Sequence, residues 1–337
     1  MVQRTPTSRA SLLGLLSGSI KLLAEAKSYI HIWSGRPSMR LGLPSVRGGR
    51  EELVRAIEQK ARELARGAVS EPAGLLSYGD RLAIPGSSLK GAVRSRLELL
   101  FTPRPDGAIA SCFAVQKPLA APPSKGQHGW RHYLLWAPAT EEARPMACGR
   151  GEQACVICDI FGAPGLASRI FFGNLWLSGS REEWTEELPL DYGERVMAFK
   201  PGAKFVGSLD FLGLRPEELG LLVVGMRLHE DRPILIGKNK YRIRKRADTG
   251  REIVFGRLSL EADAISFAPW CAEEAREIAE EARARLGERD GELVAQGDGL
   301  RALLAHLASL ARQAFPDLRH DFDEVVRLEE EIWRGEA

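Results

Sequence analysis

Three cysteines form the spacing Cys148-x6-Cys155-x2-Cys158 in the string ACGRGEQACVICDIFG. A C-x2-C knuckle presents two thiolates to one tetrahedral ion, and a third cysteine nearby fits a zinc site of three cysteines and one histidine or of four cysteines. The fourth ligand stays open between His132, His128 and Cys112, with His132 preferred. No HExxH or H-x-E pattern accompanies the cluster, so the expected zinc is structural: it pins a loop-rich insertion that lacks a core of its own.

Phosphate chemistry is suggested by residues 83–96, AIPGSSLKGAVRSR. Pro85-Gly86 breaks a preceding strand. Ser87 or Ser88 can then cap a helix by accepting from a free backbone N–H. Lys90 and Arg94, four apart, share a helix face near Ser87. Free amides, a partial positive charge and added cations at a helix N-terminus suit an anion.

A second basic feature is PILIGKNKYRIRKR, residues 233–246. Read as a strand, it points Lys238, Lys240, Arg242 and Arg244 to one side about 6.6 Å apart. That row approximates the phosphates of an extended single strand, and Lys245 and Arg246 add charge. Arg36, Arg40, Arg47 and Arg50 make a third basic stretch in a Gly- and Pro-rich loop that can fold over a ligand.

Acid–base candidates are thin. Asp80 sits in Tyr78-Gly79-Asp80-Arg81, where turn formation is the expected role. His31, inside Ile30-His31-Ile32, is a lone strand histidine. Walker A, nucleophile-elbow and dinucleotide motifs are all missing from the sequence.

These residues must be positioned by a mixed set of elements. Apolar alternation predicts strands within 12–34, 131–137, 169–178, 203–212, 220–228 and 252–260. A short helical turn is expected at Pro216-Glu217-Glu218. Residues 51–67 read as an amphipathic helix with Leu53, Ile57 and Leu64 on one side, closed by Gly67. The Lys90 helix runs to about Phe101, and 102–130 reads as irregular. From Ala272 helices are expected over 272–286, 298–314 and 318–334. The class is α+β with an α-helical C-terminal lobe.

The 337 residues, 44% hydrophobic, suffice for a large core. A net charge of +2 means that any basic surface is local. No apolar run is long enough to span a membrane, and the N-terminal segment has neither the length nor the cleavage site of a signal peptide. Five cysteines, three of them clustered, favour a metal in a reducing cytoplasm over a disulfide framework.

IPGSSLKGAVRSRLE resembles the signature segment of the RAMP superfamily, the repeat-associated RNA-binding proteins of CRISPR interference complexes. Ile157-Cys158-Asp159-Ile160-Phe161-Gly162 through Ser168-Arg169 resembles that family's C-x-L-F-G … S-R segment. VMAFKPGAKFVGSLDF, residues 196–211, resembles its P-x-G-x-x-F strand. Leu235-Ile236-Gly237-Lys238 and Phe255-Gly256-Arg257-Leu258 stand in place of its glycine-rich loop. The likeness is greatest to the repeated backbone subunit of the type III-A (Csm) effector, with the terminal RAMP subunit of that complex next.

The resemblance implies a ferredoxin-like, RRM-type core: an antiparallel sheet with helices on one face. This core spans 12–262, with insertions at 35–70 (basic loop plus helix) and 102–165 (a lid-like, zinc-binding segment), and a helical domain follows at 263–337. It implies binding of single-stranded CRISPR RNA, and of target RNA beside it, through Arg36, Arg40, Ser87, Ser88, Lys90, Arg94, Arg169, Lys238, Lys240, Arg242, Arg244, Lys245 and Arg246. Other effector subunits and copies of the same chain are the implied partners. Relatives that cut target RNA carry an Asp after the first strand. Here that position falls in Ser34-Gly35-Arg36-Pro37-Ser38-Met39-Arg40, which has no acid. The expected activity is therefore RNA holding without cleavage; the alternatives are a metal-dependent endoribonuclease and a zinc-stabilised protein-interaction module.

Overall fold

The computed structural model describes residues 1–7, 14–33, 49–67, 74–113, 123–141, 148–149 and 153–334. The chain is α+β. The elements that matter to the site begin with β1 (Leu16–Ala26), α1 (Arg50–Gly67), β2 (Arg81–Ile84), α2 (Gly86–Leu100), α3 (Trp130–Leu135) and α4 (Val156–Phe161). Next come β3 (Ile170–Phe172), β4 (Leu175–Ser178), β5 (Thr185–Pro189), β6 (Arg195–Phe199), β7 (Lys204–Leu214) and α5 (Pro216–Met226). The chain continues through β8 (Ile243–Lys245), β9 (Glu252–Val254), β10 (Arg257–Phe267), α6 (Ala272–Glu281), β11 (Leu286–Arg289), β12 (Glu292–Ala295) and α7 (Gly297–Ala314).

The main sheet runs β11-β12-β10-β1-β7-β4-β2, with β3 also on β7. At its centre stand β10, β1, β7 and the β3/β4 pair, each antiparallel to its neighbour. Helix α2 lies in the chain between β1 and β3, and α5 between β7 and β10. Two split βαβ units with sheet order 4-1-3-2 make the ferredoxin-like fold.

Alternation in β1 decides the faces. Ile20, Leu22, Ala24 and Ala26 are buried, whereas Lys21 is exposed. Ile20 pairs with Leu209 on one side and Ile265 on the other, so three buried side chains form a row across the central strands. Truncating Ile20 to alanine costs about 2–5 kcal/mol. A bulge in β10 between Ala262 and Ala264 turns Asp263 outward to Lys21, 2.6 Å away.

Two expected strands are helices. Residues 220–226 belong to α5, with Arg227 and Leu228 in the turn that ends it, and 131–137 fall largely in α3. A continuous apolar run such as Leu221-Leu222-Val223-Val224 has no period of its own. Pro216 in the first turn and the Glu218 carboxylate, which accepts from the Arg215 N–H at 2.9 Å, start the helix. Helix α5 is then apolar all round because it is covered on several sides: a Cβ at Gly220 would lie 2.1 Å from Leu307 O in α7, and one at Gly225 would meet Leu97 and Val93 of α2.

The C-terminal region joins the core. Helix α6 ends at Glu281, and β11–β12 follow as a hairpin whose second strand pairs with β10, Phe267 opposite Leu293. Its turn is Asp290-Gly291 with both φ positive, the mirror-image turn that suits a hairpin. Helix α7 packs on α5, β10 and β12. The expected boundary at 262/263 falls inside β10, and one continuous apolar core includes Ile20, Leu222 and Leu303 alike. A second small core, Leu188, Leu190, Val196, Ala198, Ile253 and Phe255, ties hairpin β5–β6 to β8–β9. On α1 the expected apolar side is open: Leu53, Val54 and Ile57 each remain nearly half exposed. No helix among the described residues is long and apolar enough to cross a membrane.

Candidate metal centre and nucleic-acid interface

Four buried thiols, Cys112, Cys148, Cys155 and Cys158, lie with their sulfurs within 4.8 Å of one another. Cys155 caps α4, and its sulfur accepts from the Cys158 N–H at 3.4 Å. The Cys155 N–H in turn donates to Cys148 Sγ at 3.3 Å. Cys112 Sγ stands 3.4 Å from Cys158 Sγ and 3.5 Å from Cys155 Sγ. Tetrahedral zinc with Zn–S near 2.3 Å needs sulfurs about 3.8 Å apart, so a small ion fits with little adjustment. Amide donors to the sulfurs and two nearby guanidiniums, Arg94 and Arg4, offset the charge that four thiolates would carry. The hydrogen bond from Cys155 and the Arg4 guanidinium draw the Cys148 thiol down to about 6. The contact with Cys155 draws the Cys112 thiol down, but the hydrogen bond with Cys158 and burial outweigh it and push Cys112 up to about 12. A divalent cation resolves this competition by taking all four as thiolates.

The fourth cysteine corrects the preferred ligand. His132 is not at the cluster; its Nδ1 lies 3.1 Å from Tyr241 Oη. His128 is exposed and lines a separate cavity. Cys112 arrives from the segment that follows α2, which local spacing around the C-x2-C knuckle cannot reveal.

The helix expected to grip phosphate is stapled inward. Helix α2 starts at Gly86 with Pro85 at its cap and no side-chain capping bond, so neither Ser87 nor Ser88 caps it. Gly86 is required there: its N–H donates to Asn174 Oδ1 at 3.0 Å, and a Cβ would lie 2.1 Å from Phe172 O. Lys90 donates to Ser168 Oγ at 2.6 Å and to Ile170 O at 3.3 Å, and burial lowers its pKa. Arg94 donates to Glu98 and to Gly162 O, both at 2.7 Å, and to Cys158 Sγ at 3.4 Å. Arg169 is 7% exposed and donates to Asp159, Glu218 and Gly213 O. Lys90 and Arg94 hold α2 to the cysteine loop and β3, because their helix face points at residues 158–170, and Arg169 ties that loop to α5. Spacing predicts that they share a face but not what the face meets.

The basic ribbon is a turn followed by a short strand. Residues 237–242 are held by two glycines in the left-handed region. A Cβ on Gly237 would lie 2.6 Å from His31 O, and one on Gly256 would lie 2.4 Å from Ile236 O. The turn breaks the expected alternation. Within β8, Arg244 is buried and Ile243 exposed, the reverse of the expectation. Arg244 pairs with Asp191 at 2.6 Å and Glu194 at 2.8 Å. Lys238 pairs with Glu194 at 2.7 Å, Arg246 with Glu186 and Asp248, and Lys245 reaches Glu252 at 3.7 Å. Among the described residues Lys240 and Arg242 have no ion-pair partner. Opposite them, across a cavity of about 470 Å³, runs the segment Gln127–His132.

His31 is fully buried, its Nδ1 on Met197 O at 2.8 Å, and burial lowers its pKa. Asp80 lies in an exposed turn. Arg36, Arg40 and Arg47 lie outside the described residues.

A model of the RAMP superfamily matches residues 24–291. No curated protein matches the chain. Among solved structures, one described as the Csm3-Csm4 subcomplex in the type III-A CRISPR-Cas interference complex aligns at 17% identity. That alignment covers 87% of this chain and 97% of the other, with a TM-score of 0.34.

Proposed function

The chain belongs to the RAMP superfamily, and from that premise we propose that it is a guide-RNA-holding backbone subunit of a type III-A CRISPR interference complex. It binds single-stranded RNA by its phosphates, assembles with other effector subunits and with copies of itself, and does not cut. The observation that carries this reading is the glycine-anchored turn, which offers Lys240 and Arg242 without acidic partners among the described residues. Exposed Lys238 and Lys245, whose acidic partners are themselves at or near the surface, widen the basic edge. Exposed Ser87 at the α2 N-terminus is a further phosphate contact. Lys90, Arg94, Arg169, Arg244 and Arg246 serve the fold instead.

The holding role is favoured over cleavage because Ser34–Arg40 carries no acid and His31 is sealed from solvent. The ion at the four cysteines is zinc in this reading. Its four ligands close the site, so its part is to pin the 102–165 segment against α2.

The test is binding of a labelled single-stranded RNA to the full chain across a salt series, with Lys240→Ala/Arg242→Ala beside it. Phosphate contact predicts a linear fall of log affinity with log salt, and a slope smaller by about 1.4 in the double variant. The RNA stays intact. Shortened RNA that requires Mg²⁺ would replace this reading with a metal-dependent endoribonuclease. No binding at low salt would leave a zinc-pinned protein-interaction module.

A further inference from the structure

The cavity beneath the glycine-anchored turn is built for more than a backbone contact. Its two walls are residues 127–132, which enter α3 through Gly129 at φ 86, and the turn 237–242. Among its described lining residues none is Asp or Glu, while Arg131, Lys238, Lys240 and Arg242 are cationic. A basin of this charge and size suits an anion of nucleotide dimensions.

The walls are fixed before any ligand arrives. Tyr241 Oη stands between His132 Nδ1 at 3.1 Å and Trp136 Nε1 at 3.3 Å. From beneath, Trp333 Nε1 donates to Tyr241 O at 3.3 Å, and Arg257 donates to Lys240 O at 3.0 Å. Arg257 also lies over the Trp333 ring, so the π-helical C-terminal turn, Arg327–Trp333, braces the site from the far end of the chain. Trp130, half of the aromatic lining, carries Arg131 over its ring at 4.8 Å.

Asn239 supplies the second observation. It sits at φ 63 at the crest of the turn, and its Oδ1 accepts from Arg244 at 3.1 Å. That bond orients the amide, yet its Nδ2 is buried and has no hydrogen-bond partner among the described residues. A buried donor without an acceptor is costly unless a ligand supplies one.

We propose that this cavity takes a single nucleotide, its phosphate on Lys240 and Arg242, its base against the Trp130–Tyr241 wall, and an acceptor of the nucleotide on Asn239 Nδ2. The source of the nucleotide, a residue of the bound RNA strand, rests on the RNA-holding reading; the cavity's chemistry does not. Nothing is bonded or cleaved: the site fixes the register of a strand by accepting one unit of it.

The experiment titrates the full chain with adenosine and uridine 5′-monophosphates, with inorganic phosphate, and with adenosine alone. The site predicts nucleotides binding at least tenfold tighter than either phosphate or nucleoside. Arg242→Glu and Asn239→Asp should each weaken them tenfold or more. Asn239→Asp keeps the acceptor for Arg244 and tolerates positive φ, so the fold survives while the free donor becomes a negative charge. Unchanged circular dichroism and melting temperature check that. In parallel, single-stranded RNA containing 4-thiouridine is photo-crosslinked and the peptides mapped. Crosslinks in 127–132 or 237–242 are expected. Tight RNA binding with crosslinks only elsewhere, and mononucleotides no better than phosphate, would overturn the pocket and keep the RNA reading. Saturable mononucleotide binding without RNA binding would overturn the RNA reading and keep the pocket. Binding of neither would overturn both.

Discussion

Arg94 Nη2 in the middle of helix α2 lies 3.4 Å from Cys158 Sγ, with the same guanidinium also on Gly162 O and Glu98. One side chain of the family-signature helix is thereby a neighbour of the metal-ligand set. A metal held by these thiols would therefore stabilise the helix and be stabilised by it. Arg94→Ala should lower stability by about 2–4 kcal/mol, from lost charge-assisted bonds in a mostly buried place. It should also weaken metal retention against a chelator. Denaturant unfolding with and without EDTA measures both; equal retention in variant and parent would show that the contact is incidental.

The ligand set itself is tested by substitution. One zinc per chain is expected by elemental analysis of the purified protein. Cys112→Ser should lose it and His132→Ala should retain it, since His132 pairs with Tyr241 instead. Removing the metal should cost several kcal/mol, because four buried thiols would lose the ion that holds them together.

Much of this architecture was legible in the residues, and the misses share a cause. Local signals carried: alternation gave β1 and β7, Pro85-Gly86 gave the start of α2, and the Cys148-x6-Cys155-x2-Cys158 spacing gave three of the four thiols. Long-range packing did not. Leu221–Val224 is equally apolar in a buried strand or helix, and only burial by α2 and α7 makes it a helix. Helical periodicity dominates the tail and hides its one hairpin, although Asp290-Gly291 between short apolar runs is a hairpin signal. Spacing puts Lys90 and Arg94 on one face of α2, as phosphate ligands would need, but does not name the neighbour that face meets. That neighbour, residues 158–170, is about seventy residues away from α2 in sequence.

Arg169 offers the sharpest contrast between fold and function. It is held by Asp159, Glu218 and Gly213 O, and Arg169→Ala should cost about 3–5 kcal/mol. Burial alone would raise the Glu218 pKa, but Arg169, Arg215 and a backbone amide hold it below the usual carboxylate range. A depressed carboxylate contributes stability above its unfolded pKa of about 4.3 and loses it as pH falls through the folded value. The parent should therefore lose stability below about pH 4.3 more steeply than Arg169→Ala does. Urea midpoints between pH 6 and pH 3 check the difference.

Arg242 and Arg244, two residues apart, should behave oppositely. Arg242 is exposed with no ion-pair partner among the described residues, so Arg242→Ala should shift stability by less than about 0.5 kcal/mol. Its effect should be on RNA, lowering the salt slope by about 0.7. Arg244 is buried on Asp191 and Glu194, so Arg244→Ala should destabilise hairpin β5–β6 against β8–β9. Its salt slope should stay near the parent's. Thermal melts and salt-series binding on the two variants separate the roles. Equal slopes for parent and Arg242→Ala would remove Arg242 from the interface.

His132 makes the wall of the cavity sensitive to pH. Burial, and then the charge of Lys240, lower its pKa to about 4. The unfolded chain binds the proton near pH 6.5 and the folded chain does not, so folding stability rises with pH across that interval. The sign is fixed by the proton count: stability is complete above about pH 6.5 and is lost progressively as pH falls toward 4. With each pKa unit worth 1.36 kcal/mol, the loss is up to about 3 kcal/mol. His132→Asn can keep a hydrogen bond to Tyr241 Oη without a titrating ring, and should flatten that part of the curve. Urea unfolding of both proteins at pH 7.0, 6.0 and 5.0 makes the comparison. A parent curve as flat as that of His132→Asn would mean that the imidazole opens to solvent and takes its proton without disturbing the wall.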